Sequence, residues 1–95
     1  MNIEITARHF TASEELRNYA DEKVKKIYRY FDKPTSCHVI LEEMNPDYLT
    51  EIKLTIPGSQ FFVKDTAGEI KQSIDRAVDK LITQLKKYKD KRYSH

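Results

Sequence analysis

Ile70, Ile74, Ala77, Val78, Leu81, Leu85 and Tyr88 recur at three- and four-residue spacings through the last third of the chain. That period predicts one amphipathic helix from Glu69 to about Lys91. At 1.5 Å per residue it is roughly 35 Å long. In a chain of 95 residues this length dictates the architecture, because the apolar stripe must be covered from end to end by what remains. A hydrophobic content of 39% beside 34% charged residues supports one modest core and is too apolar for a disordered chain.

The remainder reads mostly as strands. Ile3, Ile5 and Ala7 alternate with Asn2, Glu4, Thr6 and Arg8, the period of a half-buried strand. Thr11-Ala-Ser-Glu14 has the spacing of a capping box, and opens a helix whose apolar stripe is Leu16, Tyr19, Ala20, Val24, Ile27 and Phe31. Asp32-Lys33-Pro34 closes it, since proline disfavours helical geometry in the residue before it. Cys37 to Glu43 is rich in β-formers, and Asn45-Pro46-Asp47 marks a turn. Tyr48 to Ile56 alternates again, Pro57-Gly58 suits a type II turn, and Phe61 to Asp65 makes a fourth strand.

The order is β-α-β-β-β-α, an α+β fold forming a single domain over residues 1–95. A strand–helix–strand crossover makes the first two strands parallel, and the meander that follows makes the fourth parallel to the second. Both helices then run parallel on one face of the four-stranded sheet, with their C-terminal ends at the same edge.

Charge is unevenly spread over this frame. Residues 80–95 hold six Lys or Arg and one acid, Asp90, which leaves residues 1–79 with eleven basic and fourteen acidic side chains. The first helix is polarised too, with Glu14, Glu15, Asp21 and Glu22 ahead of Lys23, Lys25, Lys26, Arg29 and Lys33. Cations suit a helix C-terminus, but the excess in both helices goes further and brings two basic ends together. Around the axis of the second helix, Arg76, Lys80, Lys87 and Lys91 fall within roughly 200–260° of Ile74, with Gln84 beside them. Asp75, Asp79 and Asp90 lie on the opposite flank with Lys86. Like charges four apart repel mildly. A stripe that carries them suits an anionic partner, as a phosphate-binding surface requires.

Catalysis and metal binding find little footing. Cys37 and His38 are neighbours on a strand and point to opposite faces. The three His and one Cys are scattered, without the local pairs that zinc needs. Gly58 and Gly68 form no phosphate-cradling loop, and the Glu42-Glu43 pair alternates across its strand. No catalytic, cofactor or metal site is expected. Of six tyrosines, Tyr19 and Tyr88 fall on apolar stripes, while Tyr93 in the basic tail remains open as a stacking residue. The single cysteine, the lack of an apolar run of about 20 residues and an N-terminus without a signal pattern suit a cytoplasmic protein with no membrane contact.

Ser73-Ile74-Asp75, Lys80-Leu81, Gln84-Leu85, Lys87, Lys89 and Lys91 together resemble the closing helix of the ribosome hibernation-promoting factors. These are also called ribosome-associated inhibitors or sigma-54 modulation proteins. The opening Ile3-x-Ile-Thr, Leu16-Arg17, Lys23-Val-x-Lys26-Ile27 and the aromatic pair Tyr30-Phe31 match as well, so the resemblance covers essentially the whole chain. It implies the β-α-β-β-β-α fold and a ribosome-binding domain. Such a domain sits on ribosomal RNA in the channel of messenger and transfer RNA on the small subunit, and inhibits translation in stress or stationary phase. The matched contact positions are Lys23, Lys26 and Arg29 on the first helix, and Lys80, Gln84, Lys87 and Lys91 on the second. Arg8 matches more loosely, and Arg76 joins them from the helical stripe alone.

Two departures stand out. The family's tyrosine ahead of the isoleucine-aspartate is replaced by Lys71. The chain also stops at His95 and so resembles a short form without the C-terminal dimerisation domain, which would need a separate partner protein for ribosome pairing or would silence only single ribosomes. Other readings are a general double-stranded or structured RNA-binding module, and a protein-interaction module using a sheet face that holds Glu42, Glu51, Lys53 and Lys64. A role in transcription has no support in these residues.

Overall fold

The computed structural model describes residues 1–31 and 33–93, with side chains through Asp90. Strands β1 (Asn2–Arg8), β2 (Ser36–Glu43), β3 (Tyr48–Ile56) and β4 (Ser59–Ala67) alternate with helices α1 (Glu14–Val24) and α2 (Ile70–Tyr93) in the expected β-α-β-β-β-α order. The four-stranded sheet has the order β1-β2-β3-β4, with β1 parallel to β2 and the other pairs antiparallel.

Register follows the alternation. Ile5, Val39, Ile52 and Val63 form one row across all four strands and point to the helices. Leu54, Leu41 and Cys37 sit on the same face, and all three are buried. His38, one residue from Cys37, lies on the open face. Gly58 has φ +85°, the left-handed value that the third position of a type II turn demands.

Helix α1 starts later than the capping-box spacing suggests. Ser13, in extended geometry, accepts the Leu16 N–H at 3.1 Å and is the N-cap. Ala12, between the two hydroxyl residues, is buried in the core, and the cap falls at Ser13, two residues beyond Thr11. The predicted single helix also tightens, from α geometry to a 3-10 segment over Lys25–Arg29. The buried residues Leu16, Ala20, Val24 and Ile27 stay on one side through this change, and the last step, three residues rather than four, is one that 3-10 winding accommodates. Asp32, in the predicted stop, lies outside the described residues.

The helices run parallel, as the crossover predicts. Lys71 meets Glu15 at 3.5 Å, the Tyr19 hydroxyl donates to Asp75 at 2.7 Å, and the Lys86 ammonium lies 5.3 Å from the Tyr30 ring centre. Each pair is separated by the same 56 residues, so the helices march in step. Beneath α2, Thr50 and Ser73 are fully buried and share a 2.7 Å hydrogen bond. No helix among the described residues is long and apolar enough to cross a membrane.

Both sheet edges are guarded by cations. The Arg17 guanidinium donates to Ile5 O at 2.8 Å on β1. On β4, Lys80 donates to Lys64 O at 3.0 Å and Arg76 to Thr66 O at 3.2 Å. These carbonyls lack a neighbouring strand, and the charged side chains stand in for one.

Candidate nucleic-acid interface

Eight of the nine basic and polar positions singled out in the sequence fall into three groups. Arg76, Lys80, Gln84 and Lys87 line one groove of about 770 Å³ between α2 and β4. Lys23, Lys26 and Arg29 lie along α1 and its 3-10 extension, on the other side of α2. Arg8 stands apart on the open face of the sheet, paired with Glu42 at 3.8 Å. The side chain of Lys91 lies outside the described residues, as does that of Tyr93.

The two basic helix ends point the same way, yet the α2 stripe faces away from α1. The flank that α1 packs against is the acidic one. Asp75 accepts from Tyr19 and pairs with Lys23 at 3.6 Å, and Asp75 and Asp79 share a small hollow with Lys23 and Lys26. The segregation of charge around α2 therefore has two causes. One flank complements the cations of α1, and the other is left positive over β4.

The cations also differ in how free they are. The carboxylate of Asp75 raises the Lys23 pKa, with a smaller contribution from Tyr19. Lys80 is held by Asp65 at 3.5 Å and by Lys64 O, and Arg76 by Thr66 O. Lys26, Arg29 and Lys87 have no ion pair among the described residues and are exposed. Lys26 and Arg29 are three apart in the 3-10 segment, where that spacing brings side chains nearly into line.

Lys71, in the place of the family's tyrosine, has its ammonium 5.1 Å from the centre of the Tyr19 ring and pairs with Glu15. The Lys23 ammonium is 5.3 Å from the same ring. A cation–π seam between the helices thus occupies the start of α2, and Tyr19 belongs to that seam rather than to the deep core. Tyr88 packs edge-on against Phe61, with ring centres 5.4 Å apart. Lys64 and Phe62, both on β4, also line the α2 groove. Their exposure was legible in the alternation about buried Val63, but nothing in the sequence placed them beside α2.

Chemically, this surface offers cationic groups and hydrogen-bond donors, the chemistry that suits an anion. Among the described residues no group of three His, Cys, Asp or Glu could hold a metal. Cys37 is buried and its thiol is pushed up to about 12 by loss of solvent, which keeps it from acting as a nucleophile.

A mixed sheet in sequential strand order, with two parallel helices on one face and a basic groove between α2 and β4, makes this a small α+β protein. A ribosomal subunit interface protein from Coxiella burnetii shares the fold at a TM-score of 0.88 and 26% identity, over 94% of this chain and 98% of the other. The N-terminal domain of Protein Y from Thermus thermophilus gives 0.85 and 30%, over 93% and 99%. The chain belongs to the Sigma 54 modulation protein / S30EA ribosomal protein family, which it matches over residues 3–93. The ribosome hibernation promoting factor of Pseudomonas putida is 33% identical, over 99% of this chain and 92% of its own. Its namesake in Escherichia coli K12 is 28% identical over the full length of both. The family is not one of enzymes.

Proposed function

We propose that this protein is a ribosome hibernation factor that binds ribosomal RNA of the small subunit, in the channel of messenger and transfer RNA, and silences translation in stress or stationary phase. The observation that carries this reading is the groove of Arg76, Lys80, Gln84 and Lys87, positive on the one flank of α2 that no other helix covers. Relatives of nearly the same length bear the name of hibernation factors. Lys26 and Arg29 supply a second set of phosphate contacts from α1. The protein acts in the cytoplasm.

The test is binding to purified small subunits together with inhibition of a purified translation system. Replacing Lys80, Lys87 and Lys91 with Ala should weaken binding strongly, since a charge-assisted contact is worth about 1.5–3 kcal/mol. Lys80 should contribute less than Lys87, because it must first leave Asp65. Lys71→Ala and Lys86→Ala should change binding little, because those ammoniums lie over Tyr19 and Tyr30 on the α1 side. Equal losses from both sets would reduce the site to total charge. Translation unaffected by several-fold excess of protein over ribosomes would end the hibernation reading.

A further inference from the structure

Phe62 is 55% exposed, on an edge strand that otherwise sends its apolar side chains inward. A single exposed aromatic is ordinary on a protein surface. Its surroundings are not. Lys64 is the next residue on the same face of β4, about 7 Å along the strand. On β3, Lys53 lies opposite Phe62 and Glu51 opposite Lys64. Across the strand edge, Phe62 and Lys64 join Arg76, Lys80, Gln84 and Lys87 of α2 in lining one groove. Two acids, Asp65 and Asp79, share that lining against four cations, and Asp65 is already engaged by Lys80. A second hollow of about 320 Å³, with Met44, Leu49 and Lys64 in its wall, lies along the same strand. The concave surface therefore runs from α2 over the edge of β4 and onto the open sheet.

An exposed ring set among lysines, of which Lys64 and Lys87 have no ion pair among the described residues, with an amide close by, is the arrangement by which proteins take unpaired nucleic acid. The cations follow the backbone while the ring stacks on a base. Duplex RNA offers no base face to such a ring, because its bases are stacked on one another. We propose that the groove between α2 and β4 takes a stretch of single-stranded RNA, with one base stacked on Phe62 and Lys64 and Lys87 at the flanking phosphates. This rests on reading the protein as an RNA-binding ribosome factor, and it names the form of RNA that this groove accepts.

The chain contains no tryptophan, so Phe62→Trp places a unique fluorophore at the proposed stacking point. The probes are a single-stranded oligouridylate, an abasic strand of equal length and phosphate number, an RNA duplex and a poly-glutamate peptide. The expected result is quenching of the indole by the base-bearing strand and not by the abasic strand. In anisotropy titrations, the wild type should prefer the base-bearing strand over the abasic one by about 5- to 150-fold, the range that base–aromatic stacking spans. Phe62→Ala should bind the two strands alike, and thermal melts of both variants control for folding. Absence of quenching, equal affinity of the wild type for both strands, or no binding of any strand up to 100-fold excess overturns the inference. Preference for the duplex or for poly-glutamate overturns it equally. Binding of the same samples to purified small subunits is measured alongside. Ribosome binding without strand discrimination defeats the stacking site alone, whereas strand discrimination without ribosome binding defeats the hibernation reading and leaves the stacking site standing.

Discussion

The buried hydroxyl pair beneath α2 makes a prediction whose size follows from counting hydrogens. The Ser73 hydroxyl donates its one proton to Ile70 O at 2.7 Å. The 2.7 Å contact between Thr50 Oγ1 and Ser73 Oγ must then be a bond donated by Thr50. Both residues are wholly buried, so no solvent can replace a missing partner. Ser73→Ala leaves the Thr50 donor unsatisfied, at a cost of about 1–3 kcal/mol, reduced by about 0.5 kcal/mol of helix propensity gained by alanine. Thr50→Val removes the donor but leaves the Ser73 bond to Ile70 O, for a loss of about 0.5–1.5 kcal/mol. The double variant has no orphaned group. It should lie within about 1 kcal/mol of the wild type and above Ser73→Ala, giving a coupling of about 1–2 kcal/mol. Urea unfolding followed by circular dichroism measures this. A domain of this size also shifts its melting temperature by about 4–8 °C per kcal/mol. A fully stable Ser73→Ala variant, with additive effects in the double, would show that Thr50 is not the donor and that α2 is anchored in another way.

Two further outcomes follow from burial and charge. Cys37 should resist iodoacetamide at pH 8 in the folded protein and react as urea unfolds it, so labelling should track the unfolding curve; its raised pKa adds stability that is whole below about 9 and lost as pH climbs towards about 12. Burial first, and then the bond to Asp75, raise the Tyr19 pKa above 10.0, so its contribution is complete below that value and lost at higher pH; Tyr19→Phe should flatten the alkaline limb of a stability–pH curve.

The order of elements, the strand faces and the parallel helices were all legible, because each depends on a period or a chirality rule that sequence carries directly. Cys37 and His38 fell on opposite faces for that reason. The start of α1 was not legible. Thr11 and Ser13 are both good caps, and the choice between them goes with the packing of Ala12 into the core, a tertiary event. The 3-10 tightening left a trace in the step from Val24 to Ile27, but a three-residue step also occurs in ordinary helices. For the interface, the wheel of α2 separated its charges except at Asp79, which borders both hollows. It could not say which flank α1 would cover, and that depended on Lys23 and Tyr19 meeting Asp75. Lys64 and Phe62 entered the groove only because β4 is the strand on which α2 settles.

Arg76 and Lys80 are employed twice. Unligated, they blanket the bare carbonyls of β4 and stop one molecule from extending the sheet of the next. On the proposed reading, a phosphate backbone entering the groove would draw them outward and cover the same strand itself. Occupancy and self-association would then compete for one margin of the protein. An exchange of these residues for neutral ones, made to weaken a ligand, also opens a template for end-to-end growth, so loss of binding in such variants has to be measured on molecules known to be monomeric.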